Sequence, residues 1–302
     1  MTVEAAVSTP PWRERHASTI RQWRLYAHLI SRSFSSMLGL FLVLVFLVLA
    51  LFGPALAPYP EDTMGAVKLA QRLLPPSWAH PFGTDEMGND ILSRVIVGTR
   101  TSLWIGLIIT GVAAGIGVPL GILAGYRGGW VREVIMRVTD IFLSVPGLAL
   151  ALAIVASLGP GIFNCVVALS LVWWPGYVRL IESKTLSVKE ELFVEAARAV
   201  GAKPRRILFH HILPNCVSPL VVKASMDMGL AILAAASLGF IGLGAKPPHP
   251  EWGAMISVAR SYMPDWWWYA LFPGLAIYLT VLGFNLFGDG LRDILDPRSR
   301  AG

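Results

Sequence analysis

Lys223 and Asp227 are the residues whose type and spacing most demand a chemical account. They stand four apart inside an apolar stretch, so a helix brings ammonium and carboxylate onto one face. Each charge costs about 2.5–3.5 kcal/mol at the centre of a helix in lipid. Two readings follow. The residues form a structural pair that neutralises itself, or they line a water-filled path and meet a zwitterionic solute. Other candidates are poorer. Asp85, Glu86 and Asp90 cluster in a turn-rich loop, but their spacing does not match a calcium loop. His210 and His211 are adjacent, which makes a poor metal pair. Cys165 and Cys216 are isolated in apolar sequence and read as small buried hydrophobes. The sequence contains no Gly-x4-Gly-Lys-Ser/Thr phosphate loop, no Gly-x-Ser-x-Gly elbow and no His-Glu-x-x-His pair. No catalytic residue, metal ligand or cofactor is expected in this chain.

The elements that position Lys223 and Asp227 are membrane helices. Of the 302 residues, 55% are hydrophobic and only 15% charged, against about 25% charged in soluble domains. The expected fold is an all-α membrane protein with six transmembrane helices, at 37–57, 101–125, 134–158, 161–180, 216–244 and 270–287. Ala55-Leu56-Ala57 resembles a signal-peptidase site, but the preceding polar segment is too long, and an uncleaved first helix is expected. Gly111 and Gly115, then Gly117, Gly121 and Gly125, recur at spacing four, which lets helices approach closely in lipid. Pro119, Pro146, Pro175, Pro219 and Pro273 fall in or near five successive spans and suit helices that bend around a pathway. Asp140 is expected at the cytoplasmic rim of the third span. Residues 245–265 read as a polar loop, and Trp266 to Tyr269 as an interfacial aromatic belt.

Orientation follows from charge. Eighteen of the 25 Lys and Arg residues fall in 1–34, 126–137, 179–206 and 292–302. The positive-inside rule then puts both termini and the 187–214 loop in the cytoplasm. The chain divides into a cytoplasmic tail, 1–34, and a transmembrane domain, 35–302, with an extracytoplasmic loop at 58–100. Within the tail, Trp23, Leu25, Tyr26, Leu29 and Ile30 form a candidate interfacial helix.

The longest charged run inside the apolar sequence is 187–214, SVKEELFVEAARAVGAKPRRILFHHILP. Ser187 and Glu190 spell a capping box, which predicts a helix start. That helix shows Leu192, Phe193, Ala196, Ala199 and Val200 on one side, with Lys189, Glu191, Glu195 and Arg198 largely on another. Gly201 suits the left-handed residue past a helix end, and Pro204 the first turn of a second helix. On periodicity alone this is an amphipathic helix at the membrane surface or a docking helix for a partner.

The spelling decides between them. Glu195-Ala196-Ala197, then Gly201, then Leu213-Pro214 resembles the EAA loop of ABC importer permeases, with His211 where the family usually has an aliphatic residue. The run His80-Pro81-Phe82-Gly83-Thr84-Asp85 through Gly88-Asn89-Asp90 resembles the HPFGTDxxGRD segment of the dipeptide and oligopeptide permeases, with Asn89 in place of the usual Arg. Gly242 to Pro248, Glu251 to Met255, Phe272 to Ala276 and Gly288 to Asp293 are similar to the same family. The resemblance implies the second permease subunit of a dipeptide/oligopeptide importer of the bacterial plasma membrane, with the type I ABC importer permease fold. It further implies a related permease, two cytoplasmic ATPase subunits that bind ATP and Mg, and an extracytoplasmic solute-binding protein. Glu195, Ala196, Ala197, Gly201, Leu213 and Pro214 would then form the coupling site, which ATPase closure rocks to switch the pore. Nickel and glutathione permeases share these motifs and give an alternative solute. An ion-driven secondary transporter would favour inverted repeats, and none is visible.

Overall fold

The computed structural model describes residues 33–246 and 248–295. The tail and its interfacial helix at Trp23 to Ile30 lie outside the described residues. Helix α1 (Phe34–Leu56) starts at Ser33, whose hydroxyl accepts from the Ser36 N–H. Helix α2 (Ile91–Arg127) is 37 residues long. Helices α3 (Gly129–Leu143) and α4 (Gly147–Leu158) meet at 84°. Helix α5 (Ile162–Lys189) leads to the short α6 (Leu192–Ala199) and α7 (Pro204–Ile207). A π turn, Leu208–Ile212, joins α7 to α8 (Leu213–Phe240). After α9 (Trp252–Ala259), helix α10 (Trp267–Leu295) closes the described chain. Five of these stretches are continuous and apolar enough to span a bilayer, and the bent α3–α4 pair makes a sixth.

The spans hold together mainly through α2. It packs most extensively on α5, and α10 packs on α1 and α8. Gly117, Gly121 and Gly125 form the α2–α5 seam: a Cβ on them would sit 2.5 Å from Tyr177 Cβ, 2.8 Å from Ile181 Cβ and 2.6 Å from Thr185 Cβ. Only glycine permits that approach. Gly111 and Gly115 do not belong to the seam, because a Cβ on either meets open space.

Several expectations need correction. The second span starts ten residues early, because Ile91 and Val95 are buried against Trp252 and Met255 of α9. The third span is not one helix; Pro146 has no N–H to continue α3, so the backbone turns there. The 245–265 segment is not merely a loop. Glu251 Oε1 and Oε2 accept from the Gly253 and Ala254 N–H groups and start α9. Trp252 is fully buried there and donates to the Val95 carbonyl at 3.1 Å. Of the aromatic belt, Trp268 and Tyr269 are core residues, and Trp267 is exposed. Finally, Ser187 caps nothing. It lies in the last turn of α5, which continues because Thr185 and Val188 are buried.

Candidate functional site

Two polar regions sit at opposite ends of the spans. The first is α6. Its N-cap is Glu191, without a side-chain cap, and Glu195 places negative charge in its first turn, where the helix dipole favours it. Val194 is fully buried and packs with Ile181, Val188, Ile207, Ile212 and Cys216. This single deep anchor, with Ala197 and Ala202 half-buried beside it, fixes the helix to the spans. The opposite face is open: Leu192 and Val200 are 80% and 84% exposed, and Phe193, Glu195 and Ala196 are exposed with them. The two alanines therefore differ, since Ala196 faces out and Ala197 rests on the chain's own core.

The end of α6 is built as the sequence predicts. Gly201 has φ +79°, and its N–H donates to the Arg198 carbonyl at 2.9 Å. The Ala202 N–H donates to the Ala197 carbonyl at 3.0 Å, completing a Schellman cap. Pro204 then opens α7. Phe193, Ala196, Val200, Gly201, Arg206 and His211 surround an open depression of about 660 Å³. Beyond α7, the Leu213 N–H reaches back to the Leu208 carbonyl, and the helix widens by one residue. Ile212 is fully buried while His211 is half-exposed, so the histidine at the unusual position falls outside the core. Leu213 and Pro214 begin α8 and lie outside that depression.

Lys223 and Asp227 meet. The ammonium lies 3.1 Å from Asp227 Oδ2 and 5.0 Å above the Tyr177 ring. Asp227 is buried, and the Lys223 side chain is 28% exposed. Lys223 also borders a cavity of about 560 Å³ between α5, α8 and the end of α10. The pair and the lined space thus exist together. Charge pairs missed by the sequence reading brace the same end. Arg132 Nε donates to buried Glu182 at 2.5 Å, and Arg179 pairs with Asp140. A lone glutamate in apolar α5 was the available signal.

The other polar region is the loop between α1 and α2. Asp62 is fully buried; it meets Lys68 at 2.6 Å and accepts from the Asp90 N–H at 2.9 Å. Asp90 caps α2 through the Ser93 N–H and hydroxyl, and its other oxygen meets His80 Nδ1 at 3.0 Å. Asp85 accepts from the Met87 and Asn89 N–H groups and lies 3.5 Å from Arg94. Burial pushes the Asp85 carboxyl up, against the pull of Arg94 and the Asn89 N–H, and burial raises Glu251 despite its two backbone donors. Asn89, at the position where an Arg is usual, turns its amide back onto Asp85 at 3.1 Å. No group of three or more His, Cys, Asp or Glu among the described residues is arranged to hold a metal.

This architecture is a known one. Residues 117–301 match the family described as binding-protein-dependent transport system inner membrane component, and residues 21–76 match the N-terminal TM domain of oligopeptide transport permease C. The probable D,D-dipeptide transport system permease protein DdpC of Escherichia coli is 49% identical over 85% of this chain and 86% of its own length. The dipeptide transport system permease protein DppC of Alkalihalophilus pseudofirmus is 42% identical over 97% and 95%. The glutathione transport system permease protein GsiD of Pectobacterium atrosepticum is 45% identical over 96% and 92%. Among solved structures, a chain of the inward-facing MetNI methionine ABC transporter superposes with TM-score 0.55 at 20% identity, covering 67% of this chain and 97% of that one. That likeness speaks for the fold alone. The chain belongs to the binding-protein-dependent transport system inner membrane components, the multi-pass inner-membrane permeases of ABC importers.

Proposed function

We propose that this chain is the second permease subunit of an importer for dipeptides and oligopeptides, and that α6 is its coupling helix. The observation that carries the reading is α6 itself. It lies within the matched span, is anchored by one buried valine, is ended by a Gly201 cap, and turns Leu192, Phe193 and Val200 outward. An apolar face bordered by Lys203 and Arg206 suits a partner better than water. In this account the α6 end and both termini are cytoplasmic, residues 1–34 are a tail, and the 58–90 loop faces the binding protein. Two ATPase subunits bind ATP and Mg and close against α6. A related permease supplies the other half of the pathway, and Lys223, its ammonium held by Asp227, lines this half. This chain itself carries out no hydrolysis.

Peptide as solute rests on the relatives named for dipeptides. Glutathione is the second reading, favoured by the 45% identical GsiD relative. A cysteine at Ala196, paired with cysteines in the ATPase subunit, tests the coupling site. It should crosslink in the assembled complex, and a crosslinked complex should not take up labelled dipeptide. A crosslink formed only to lipid-side residues of the partner permease would remove α6 from the ATPase contact. Competition between labelled dipeptide and glutathione separates the two solutes.

A further inference from the structure

The cavity beside Lys223 has a charge pattern that the coupling and pathway readings do not explain. Its wall is contributed by three helices: Leu180 and Lys184 of α5, the stripe Pro214 to Met226 of α8, and Arg292 of α10. Three cations, Lys184, Lys223 and Arg292, border one space of about 560 Å³, and no carboxylate among the described residues lines it. The side chains of Lys184 and Arg292 form no hydrogen bond or ion pair with another described residue. The ammonium of Lys223 is held by Asp227, which is buried behind the wall and is not among the lining residues. The balance facing the cavity is therefore positive. Basic residues at the inner ends of spans are common, but those rows face lipid headgroups or water. Here they converge from separate helices on a concavity whose remaining lining is largely apolar: Leu180, Pro219, Val222 and Met226. A low-dielectric wall strengthens the field inside such a space.

We infer that this cavity is an oxyanion site, and that it receives a free carboxylate of the transported solute at the inner end of the pathway. The inference rests on the proposed reading of the chain as an importer of peptide-like solutes. A peptide carries one terminal carboxylate, which Lys184 and Arg292 can meet by charge-assisted hydrogen bonds. Lys223 tethers the site to the mid-span pair. Its apolar lining accepts the side chain beside the carboxylate. A phospholipid phosphate presents the same chemistry, and the test must separate the two.

The test uses the whole importer in inside-out vesicles. Ser218, which lines the cavity, is replaced by cysteine; native Cys165 and Cys216 are buried and stay silent. The rate of modification is measured with an anionic and a cationic methanethiosulfonate reagent of similar size. The anionic reagent should react roughly tenfold faster, and the preference should shrink in high salt. Alanyl-alanine should slow the reaction severalfold, and its C-terminal amide should not. Lys184→Gln with Arg292→Gln should abolish both the reagent preference and the protection. Equal rates for the two reagents, or equal protection by acid and amide, would overturn the site. Protection that needs phosphatidylglycerol and ignores the dipeptide would assign the oxyanion to lipid and overturn the solute. Uptake by whole cells carrying the same importer keeps the outcomes apart: normal dipeptide uptake without protection sinks this site alone, and absent wild-type uptake sinks the importer reading.

Discussion

The two polar regions of this permease handle charge in opposite ways. In the 58–90 loop most charged groups are spent on the loop or on the helices beside it: Asp62 on Lys68 and the Asp90 N–H, Asp90 on His80 and Ser93, Asp85 on Asn89 and Arg94, Glu86 on Tyr269. In 190–206 the reverse holds. Leu192, Phe193 and Val200 face out, and Glu195, Lys203, Arg205 and Arg206 form no ion pair among the described residues. A segment that satisfies its own polar groups is a rigid cap. One that leaves apolar and charged groups outward suits contact with another protein, the role proposed for α6.

Substitutions should divide along that line. The largest effect on stability is expected in the cap. Asp90→Ala strips the acceptor from His80 Nδ1 and from the Ser93 N–H and hydroxyl, all buried. The cost should be about 3 kcal/mol, read as a lower melting temperature of the purified complex and a reduced membrane level. Asp90→Asn, which keeps one acceptor, should lose about half as much. Wild-type melting in Asp90→Ala would mean the loop is not self-supporting.

Next comes the mid-span pair. Lys223→Met leaves Asp227 buried without its cation, at about 2 kcal/mol given the partial exposure of the lysine. Adding Asp227→Leu should bring expression back, because two apolar groups no longer need each other. Uptake by that double variant should stay low if the pair also lines the path. Wild-type uptake would leave the pair a purely structural role.

At α6 the expectation is a stability change within about 0.5 kcal/mol for Leu192→Ser with Val200→Ser, since both are surface positions. Recovery of ATPase subunits on purification should nevertheless fall severalfold. Equal loss of melting temperature and of ATPase would make α6 part of the core rather than a docking face. The smallest effect concerns salt. Because most charges of the 58–90 loop are paired internally, and that loop is proposed to face the binding protein, raising ionic strength should change binding-protein association by no more than about twofold. A steep salt dependence would show that those pairs open on docking.

Much of this was legible in the sequence. Apolar runs located the spans, and the Gly201–Pro204 corner predicted both the cap of α6 and the start of α7, because a left-handed glycine and an N-terminal proline are local devices. The start of α6 was not legible. Ser187 and Glu190 satisfy the local capping rule, but burial of Thr185 and Val188 keeps α5 helical through Ser187. The early start of α2 depends on Trp252, more than 150 residues away in sequence. The same limit hid the self-pairing of the 58–90 loop, where Asp62 meets Asp90 across 28 residues. Glycine spacing alone did not separate Gly117, Gly121 and Gly125, which touch α5, from Gly111 and Gly115, which touch nothing.

If α6 transmits the ATPase cycle to the pore, as proposed, Gly201→Val should break that transmission. A Cβ at Gly201 meets no atom within 4 Å, so the change adds no clash, and its effect comes from forcing a β-branched residue into φ +79°. The measurement is ATP hydrolysis by the reconstituted importer with and without loaded binding protein, alongside dipeptide uptake. The expected outcome is a permease present at wild-type level in the membrane, with hydrolysis that no longer responds to loaded binding protein and with uptake abolished. Solute-stimulated hydrolysis and uptake at wild-type rates would contradict it.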